Sequence, residues 1–517
     1  MNLASLSDRN LEEHGEYERL IFGERSYTNR ELHDLGCRLA HALHELGLGS
    51  GDKVVVMLPN CPEVLLGYSA VWRIGAVAIP VLFLLDTHEL AYILENSAAR
   101  AVITSNDVYA KVADAVQRVP AVRYVLVAGA EDSVPEGCLS IARLLHDSPP
   151  RSEVAPCSKD DLATILYTSG TTGRPKGVMQ THGNLYAHAM NAWRTAGERN
   201  RSPRSLIVLP LAHSFGLGLL VSGFLFGGMG VLMRWFNPKE ALELIERHRL
   251  VGMAGVPTMF LYLLADPDAG KYDTSSVERW LVGAAPMDAA HIAAFERKFG
   301  GQLLVGYGLT ESCPGISVER EELPRKPGSV GVPMEGVRVK IVDESGRSLP
   351  AGERGEICAA GENISPGYYE LPEATRDTFR AGWLHTGDIG YLDSDNYLFI
   401  VDRKKDLIIR AGLNIYPKDV EEVLVHHPAV EEAAVVGMLD PLMGEEVCAF
   451  VVKKYGSKVS AEELISHCQG QLAKYKTPRH VELVSSLPKN NLGKVQKNEL
   501  RELARRKWTP NDPSGAS

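Results

Sequence analysis

Cysteine is sparse in this sequence: 8 residues in 517, at positions 37, 61, 138, 157, 313, 358, 448 and 468, with no CxxC pair among them. Thiols spread this thinly exclude a disulfide-stapled scaffold and read as the reduced side chains of a cytoplasmic protein. Positive charge is also in deficit, with 55 Lys and Arg against 65 Asp and Glu and a formal net charge of −10. A nucleic-acid-binding protein would carry a basic face or stripe, so that class is excluded, while a local basic site for an anionic ligand is not. The chain shows no internal repeat of the length used by solenoids and propellers. Its opening stretch, MNLASLSDRNLEEHGEYERL, has neither a basic n-region nor an apolar core and is not expected to be a secretory leader. Long hydrophobic runs are nearly absent as well. The exception is FGLGLLVSGFLFGGMGVLM, residues 215–233, which is long enough for a bilayer but holds six glycines. It is expected to be a buried core helix, apolar all round, and no integral membrane segment is expected.

What is present is the composition of a soluble globular protein, 45% hydrophobic and 23% charged. The length suits one large domain plus a smaller one. From 30 to 128 helical and strand patterns alternate. NRELHDLGCRLAHALHELG is helical and ends at Gly47, KVVVMLP is a β-branched run, and ELAYILENSAARAVITS pairs a helix with a strand. The alternation returns over 204–300 (RSLIVLPL, KEALELIERHRL, GMAGVP, ERWLVGAA). Such alternation predicts parallel sheets covered by helices, an α/β fold. From about 335 short strands with turn residues predict a small antiparallel, barrel-like β unit. Beyond it an α+β unit of about 115 residues is large enough to fold alone. The expected domains are residues 1–402 and 403–517, with the boundary at Asp402 and Arg403. The tail WTPNDPSGAS is expected to fray.

The sharpest chemistry lies in LYTSGTTGRPKGVMQTH, residues 166–182. An apolar run feeds a loop of Thr168, Ser169, Gly170, Thr171, Thr172 and Gly173, followed by Lys176 and Gly177. Glycines let backbone amides approach phosphate oxygens, and hydroxyls and a lysine add donors and charge. Arg174-Pro175-Lys176 stands where a Walker A loop would have Lys-Ser/Thr, so this is a different phosphate loop.

YTSGTTGRPKG resembles the signature of the adenylate-forming acyl-CoA synthetase superfamily, which includes acyl- and aryl-CoA ligases, luciferases and amino-acid adenylation domains. GYGLTES (306–312), GWLHTGD (382–388), YLFIVDRKKDLI (397–408), AGLNIYP (411–417) and LPKNNLGKVQKNELR (487–501) resemble its further signatures, in its order. The resemblance implies a two-step reaction with ATP, Mg2+ and coenzyme A. A carboxylate attacks the α-phosphate to give acyl-AMP and pyrophosphate, and a thiol then displaces AMP.

On residue type alone Lys494, with Lys489 and Lys497 nearby, reads as a solvated side chain. The resemblance makes it the cation that offsets repulsion between carboxylate and phosphate in adenylation. It implies further that Glu311, with Thr171, binds magnesium, that Thr310 contacts the α-phosphate, and that Tyr307 and Gly308 lie by adenine. Gly283, Ala284, Ala285 and Pro286 would wall that pocket. Asp388 would accept the ribose hydroxyls, as a carboxylate suits a vicinal diol, and Arg403 would add a ribose or phosphate contact. Asp402 would be the hinge about which a mobile small domain turns between the half-reactions. Arg410, Gly412 and Asn414 would serve the coenzyme A step, on a loop one residue shorter than the usual Lys-Ser/Thr-Gly-Gly-Glu-Asn-Ile and with Arg for Lys.

For the acid, His213 matches the position that gates the acyl pocket. Phe215, Gly218, Gly283, Gly306, Gly308 and Gly315 are its candidate lining. No aspartate stands near His213 to pair a substrate ammonium, which counts against amino acids. Small residues leave room, so a medium-to-long aliphatic or an aromatic acid is expected. A malonyl-type ligase would carry an Arg before the Tyr-Gly pair, where Gly306 stands. A carrier protein in place of coenzyme A remains an alternative acceptor, and a monomer and a homodimer fit equally well.

Overall fold

The β-branched runs fold as buried strands and the periodic segments between them as helices, in a computed structural model that describes residues 1–129, 133–151, 153–168, 175–197, 204–489 and 495–508. A seven-stranded sheet runs in the order Leu139–Ser140, Tyr124–Ala128, Ala101–Ser105, Lys53–Met57, Val77–Pro80, Leu162–Thr168, Lys176–Thr181. All neighbours are parallel except the last pair. A nine-stranded sheet has parallel strands Gln302–Gly308, Arg279–Val282, Gly252–Gly255, Arg204–Ile207, Met229–Leu232 and Glu18–Phe22, with antiparallel strands at both edges. This is the expected α/β fold. The connecting helices begin where the sequence supplies a cap. Asp86 accepts from Glu89 N at 2.9 Å and Glu89 answers to Asp86 N, and Thr181 and Asn184 repeat the arrangement.

Two aromatic nuclei anchor these sheets. Trp72 is fully buried, stacks on Tyr68 at 5.7 Å, meets Phe224 edge-on and donates to Ala163 O. Trp280 sits at near right angles to Phe260 and Phe295. The apolar run 215–233 is not one helix. Gly227 and Gly228 take φ of +78° and +107° and divide it into helix Ser214–Phe226 and strand Met229–Leu232. Among the described residues no helix is long and apolar enough to cross a membrane.

A third sheet is formed by Arg338–Val342, Gly355–Ala360, Phe379–Arg380, Trp383–Leu392 and Leu398–Arg403. A fourth has the order Leu413–Ile415, Ile408–Arg410, Gly444–Lys453, Val430–Asp440, with His480–Val484 parallel to Gly444–Lys453. The chain divides into two compact units. The first comprises Met1–Val339, Cys358–His385 and Asn396–Leu398, and the second Lys340–Ile357, Thr386–Asp395 and Phe399–Ser517. Residues 403–508 thus lie wholly in the second unit, which also takes in short earlier segments. Trp508, the first residue of the tail expected to fray, instead ends helix Lys497–Trp508 and stacks on His480 at 4.8 Å.

The first helix, Ser5–His14, is tied down by a charged cluster. Arg73, with no exposed side-chain surface, donates to Asp8, and His33 Nε2 bonds the same Asp8 oxygen at 2.7 Å. The bond to Asp8 raises the His33 pKa from 6.5 to about 10. The stabilisation this ion pair gives is complete below pH 6.5 and is lost as pH rises toward 10. His33→Gln should therefore lower stability at pH 6 by on the order of 1 kcal/mol, partial exposure limiting the effect. Thermal unfolding followed from pH 6 to 10 should show the two proteins converging at the alkaline end.

Candidate active site

In the first unit the predicted residues gather at the C-terminal ends of parallel strands, where α/β sheets leave backbone groups free for ligands. Thr168 ends strand Leu162–Thr168 and stands in register with Lys176, which opens the returning strand Lys176–Thr181. These two residues are the stems of the Ser/Thr/Gly loop. Ser169, Gly170, Thr171, Thr172 and Gly173 lie outside the described residues, as does Lys494.

The segment 363–369 crosses the returning strand. Gly367 O accepts from Met179 N, Tyr369 N donates to Gly177 O, and Val178 bridges to Tyr368. This lays the buried Tyr368 ring under the Lys176 ammonium, 5.2 Å from the ring centroid. The Tyr368 hydroxyl donates to Glu311 Oε1 at 2.8 Å. Burial and the neighbouring carboxylate push the Tyr368 pKa up, so it stays a donor. Glu311 lies in the short helical turn Thr310–Ser312, just after strand Gln302–Gly308. The carbonyls of that turn are satisfied from outside it. Gln180 Nε2 donates to Thr310 O, Ser365 N to Glu311 O, and Asn363 Nδ2 to both Ser312 O and Gly315 O.

Gly283 follows strand Arg279–Val282 and donates to Gly255 O at 3.2 Å. Ala284 takes φ of +68°, a left-handed value costly for a residue with a Cβ, and Ala284, Ala285 and Pro286 are exposed. Tyr307 and Gly308 end the next strand and are half-buried. His213 caps helix Ser214–Phe226, its Nδ1 accepting from Phe215 N at 3.3 Å. Burial holds its pKa below the ordinary range, so the ring is neutral with its proton on Nε2.

The glycines of the expected acyl pocket are set by close packing of the protein itself. A Cβ at Gly308 would lie 1.7 Å from Pro314 O, and one at Gly283 3.2 Å from the Phe215 ring. One at Gly218 would lie 2.8 Å from both His188 Nε2 and Pro314 Cδ, and one at Gly315 2.4 Å from Met334 Sδ. Only Gly306 would take a methyl at ordinary contact distance, 3.5 Å from Leu281. Room for an acid is therefore not what these positions supply on the side where a Cβ would point.

In the second unit Arg403 Nε meets Asp388 Oδ1 at 3.1 Å, with the Asp388 side chain almost fully buried. The two predicted ribose contacts are partners of one another. Asp402 Oδ1 accepts from Arg403 N at 2.7 Å, and its Oδ2 from Lys418 N at 2.8 Å at the start of helix Pro417–Val425. Burial raises the Asp402 pKa. Ala411 and Gly412, with φ of +50° and +79°, turn the tight hairpin between Ile408–Arg410 and Leu413–Ile415. Arg410 is engaged within the unit, by buried Glu446 and by Tyr475 O at 3.0 Å. Asn414 is exposed opposite Ile409.

Among the described residues no group of three or more His, Cys, Asp and Glu could hold a metal ion unaided. The donor set does suit magnesium held largely by phosphate and water, because Tyr368 engages Oε1 of Glu311 and leaves Oε2 for a hard cation. Tyr368, Gln180, Asn363 and His188 were not among the predicted residues. NISPGYYE, which holds Asn363 and Tyr368, is the one stretch whose Gly-Tyr-Tyr after a Ser-Pro turn could have drawn notice.

Residues 7–369 match the family of AMP-binding enzymes and residues 419–494 the AMP-binding enzyme C-terminal domain. The chain is 38% identical over 481 residues to a feruloyl-CoA synthase of Amycolatopsis sp, covering 93% of this chain and 94% of that protein. It is 34% identical over 513 residues to a long-chain-fatty-acid–CoA ligase of Bacillus subtilis (strain 168), covering 92% and 91%. Among solved structures, the anthranilate CoA ligase AuaEII in complex with anthranoyl-AMP superposes with a TM-score of 0.89 at 29% identity, over 98% of both chains. With one family match taking in most of the chain and relatives aligned nearly end to end, this protein belongs to the AMP-binding enzymes.

Proposed function

We propose that this chain is an ATP-dependent acid–CoA ligase acting on a fatty or aromatic carboxylic acid. The observation that carries the reading is the near-complete alignment with relatives named for feruloyl and long-chain fatty acids. In the first step the acid's carboxylate attacks the α-phosphate of ATP, forming a C–O–P link and releasing pyrophosphate. In the second the thiol of coenzyme A attacks the acyl carbon, loses its proton and expels AMP.

The residues support this division of work. Thr168 and Lys176 frame the phosphate loop, and Thr310, which opens the turn two residues past strand Gln302–Gly308, would meet the α-phosphate. Glu311, steadied by Tyr368, is the side chain that would hold Mg2+, whose charge offsets that of the triphosphate. Neutral His213, proton on Nε2, offers a donor at the start of its helix. Asp388, oriented by Arg403, takes the ribose hydroxyls. Lys494 is the cation of the adenylation step. Asp402 would act as the hinge, able to absorb the dihedral change between half-reactions. Gly412 and Asn414 on the tight hairpin serve the coenzyme A step, with Arg410 holding the hairpin's base.

Pyrophosphate release measured against acetate, malonate, hexanoate, dodecanoate, benzoate, 4-coumarate and several amino acids, with and without coenzyme A, tests the reading. A fatty or aryl acid should lead, with turnover raised by coenzyme A. Release indifferent to coenzyme A would point to a carrier protein as acceptor, and silence toward every acid would overturn the proposal. Lys494→Ala should slow adenylation by about a hundredfold or more while thioester formation from supplied acyl-AMP changes little. Equal loss of both half-reactions would remove Lys494 from the first step. Asp388→Ala should raise the KM for ATP roughly tenfold or more with the fold intact by circular dichroism, and an unchanged KM would refute the ribose contact.

A further inference from the structure

Arg19 is the second residue of strand Glu18–Phe22 and is 9% exposed. That strand runs parallel to Met229–Leu232, with Leu20 level with Gly230. Arg19 therefore stands at the starting end of the strands, opposite the ends where the candidate active site gathers. Its guanidinium lies over the Phe224 ring, 4.9 Å from the centroid, near the end of helix Ser214–Phe226. Nη1 donates to Asn10 Oδ1 at 3.4 Å, a long bond, and the same oxygen accepts from the Tyr17 hydroxyl at 3.0 Å. Burial lowers the Arg19 pKa, but a guanidinium keeps its charge in a folded protein.

A buried charge is costly unless an opposite charge answers it. The other Arg, Asp and Glu side chains buried to the same degree follow this rule. Arg73 pairs with Asp8, Glu319 with Arg325, Glu356 with Lys404, Asp388 with Arg403, Asp406 with Arg501 and Glu446 with Arg410. Arg19 has no carboxylate partner among the described residues. Its contacts are a neutral amide and the face of an aromatic ring, which return only part of the cost. Asn10, fully buried, also keeps its Nδ2 without a partner, so the cluster has donors in excess and lacks an acceptor.

The unengaged part of the guanidinium has a definite shape. With Nη1 on Asn10, the edge formed by Nε and Nη2 makes no hydrogen bond among the described residues. Two N–H groups on one edge match two oxygens of a carboxylate or a phosphoryl group, and one guanidinium answers one negative charge. The cluster borders the surface, since Arg19 itself retains some exposure, Tyr17 is half-buried and His14 is exposed. Tyr17 Oη, His14 Cδ2 and Asn10 Nδ2 come within 3.2, 3.3 and 3.5 Å of where a Cβ on Gly227 would stand, so the glycine turn after the helix keeps a side chain off the cluster.

We infer that Arg19 forms an anion-binding site, separate from the candidate active site, that takes a singly charged oxyanion with two oxygens on its Nε–Nη2 edge. This site does not depend on the ligase reading.

The test melts the full-length protein at pH 6 in rising sodium acetate, sodium benzoate or sodium phosphate, with sodium chloride holding the ionic strength equal. The wild type should melt about 2 °C or more higher in at least one oxyanion than in chloride alone, with a saturating dependence on concentration. Arg19→Met, similar in length and uncharged, should lose that difference. Arg19→Lys, which keeps the charge without the fork, should need about tenfold more anion for half the shift. A rise in acetate or benzoate makes the ligand a carboxylate, and a rise in phosphate alone makes it a phosphoryl group. An acid bound elsewhere raises wild type and variants alike, so the difference between them reads Arg19. An equal rise in wild type and Arg19→Met overturns the inference, because salts excluded from the surface stabilise any folded chain. No rise over chloride overturns it too. Circular dichroism checks the fold of each variant. If Arg19→Met does not fold, the lysine variant decides, and an unchanged half-shift concentration overturns the inference.

Discussion

The Tyr368 hydroxyl donates to the carboxylate of Glu311 while the same ring carries the ammonium of Lys176, and these two contacts link a strand of the seven-stranded sheet to the turn that follows a strand of the nine-stranded one. Glu311 follows a strand of the larger sheet and Lys176 opens a strand of the smaller one. The neutral phenol thus touches the ammonium with its ring and the carboxylate with its hydroxyl. Gln180 and Asn363 extend the same tie by satisfying the carbonyls of the turn that bears Thr310 and Glu311.

The glycines around this junction serve backbone approach. At Gly308 the Pro314 carbonyl occupies the place of a side chain, at Gly218 the His188 ring and Pro314 do, and at Gly315 the Met334 sulfur does, with the His188 ring beside it. A protein interior is packed too densely for such positions to be neutral to change.

Ion pairs hold several segments within the second unit. Arg403 is set by Asp388, Arg410 by Glu446, Lys497 by Glu421 at 2.7 Å, and Arg501 by Asp406. The last two join helix Lys497–Trp508, which begins three residues after Lys494, to helix Pro417–Val425 and to the segment after Asp402.

The sequence by itself determined the alternation of buried strands and capped helices, because side-chain periodicity and capping are local properties of a few neighbouring residues. It also determined the family, because YTSGTTGRPKG, GYGLTES and GWLHTGD resemble that family's signatures and keep their order. Only the tertiary structure decided that the apolar run 215–233 breaks into a helix and a strand at Gly227, and that Arg410 is committed to Glu446. It alone placed Tyr368 on Glu311 across 57 residues and His188 between Gly218 and Gly315. Those pairings join side chains far apart in the chain, and which of them meet is set by how helices and sheets pack, a relation no local pattern encodes.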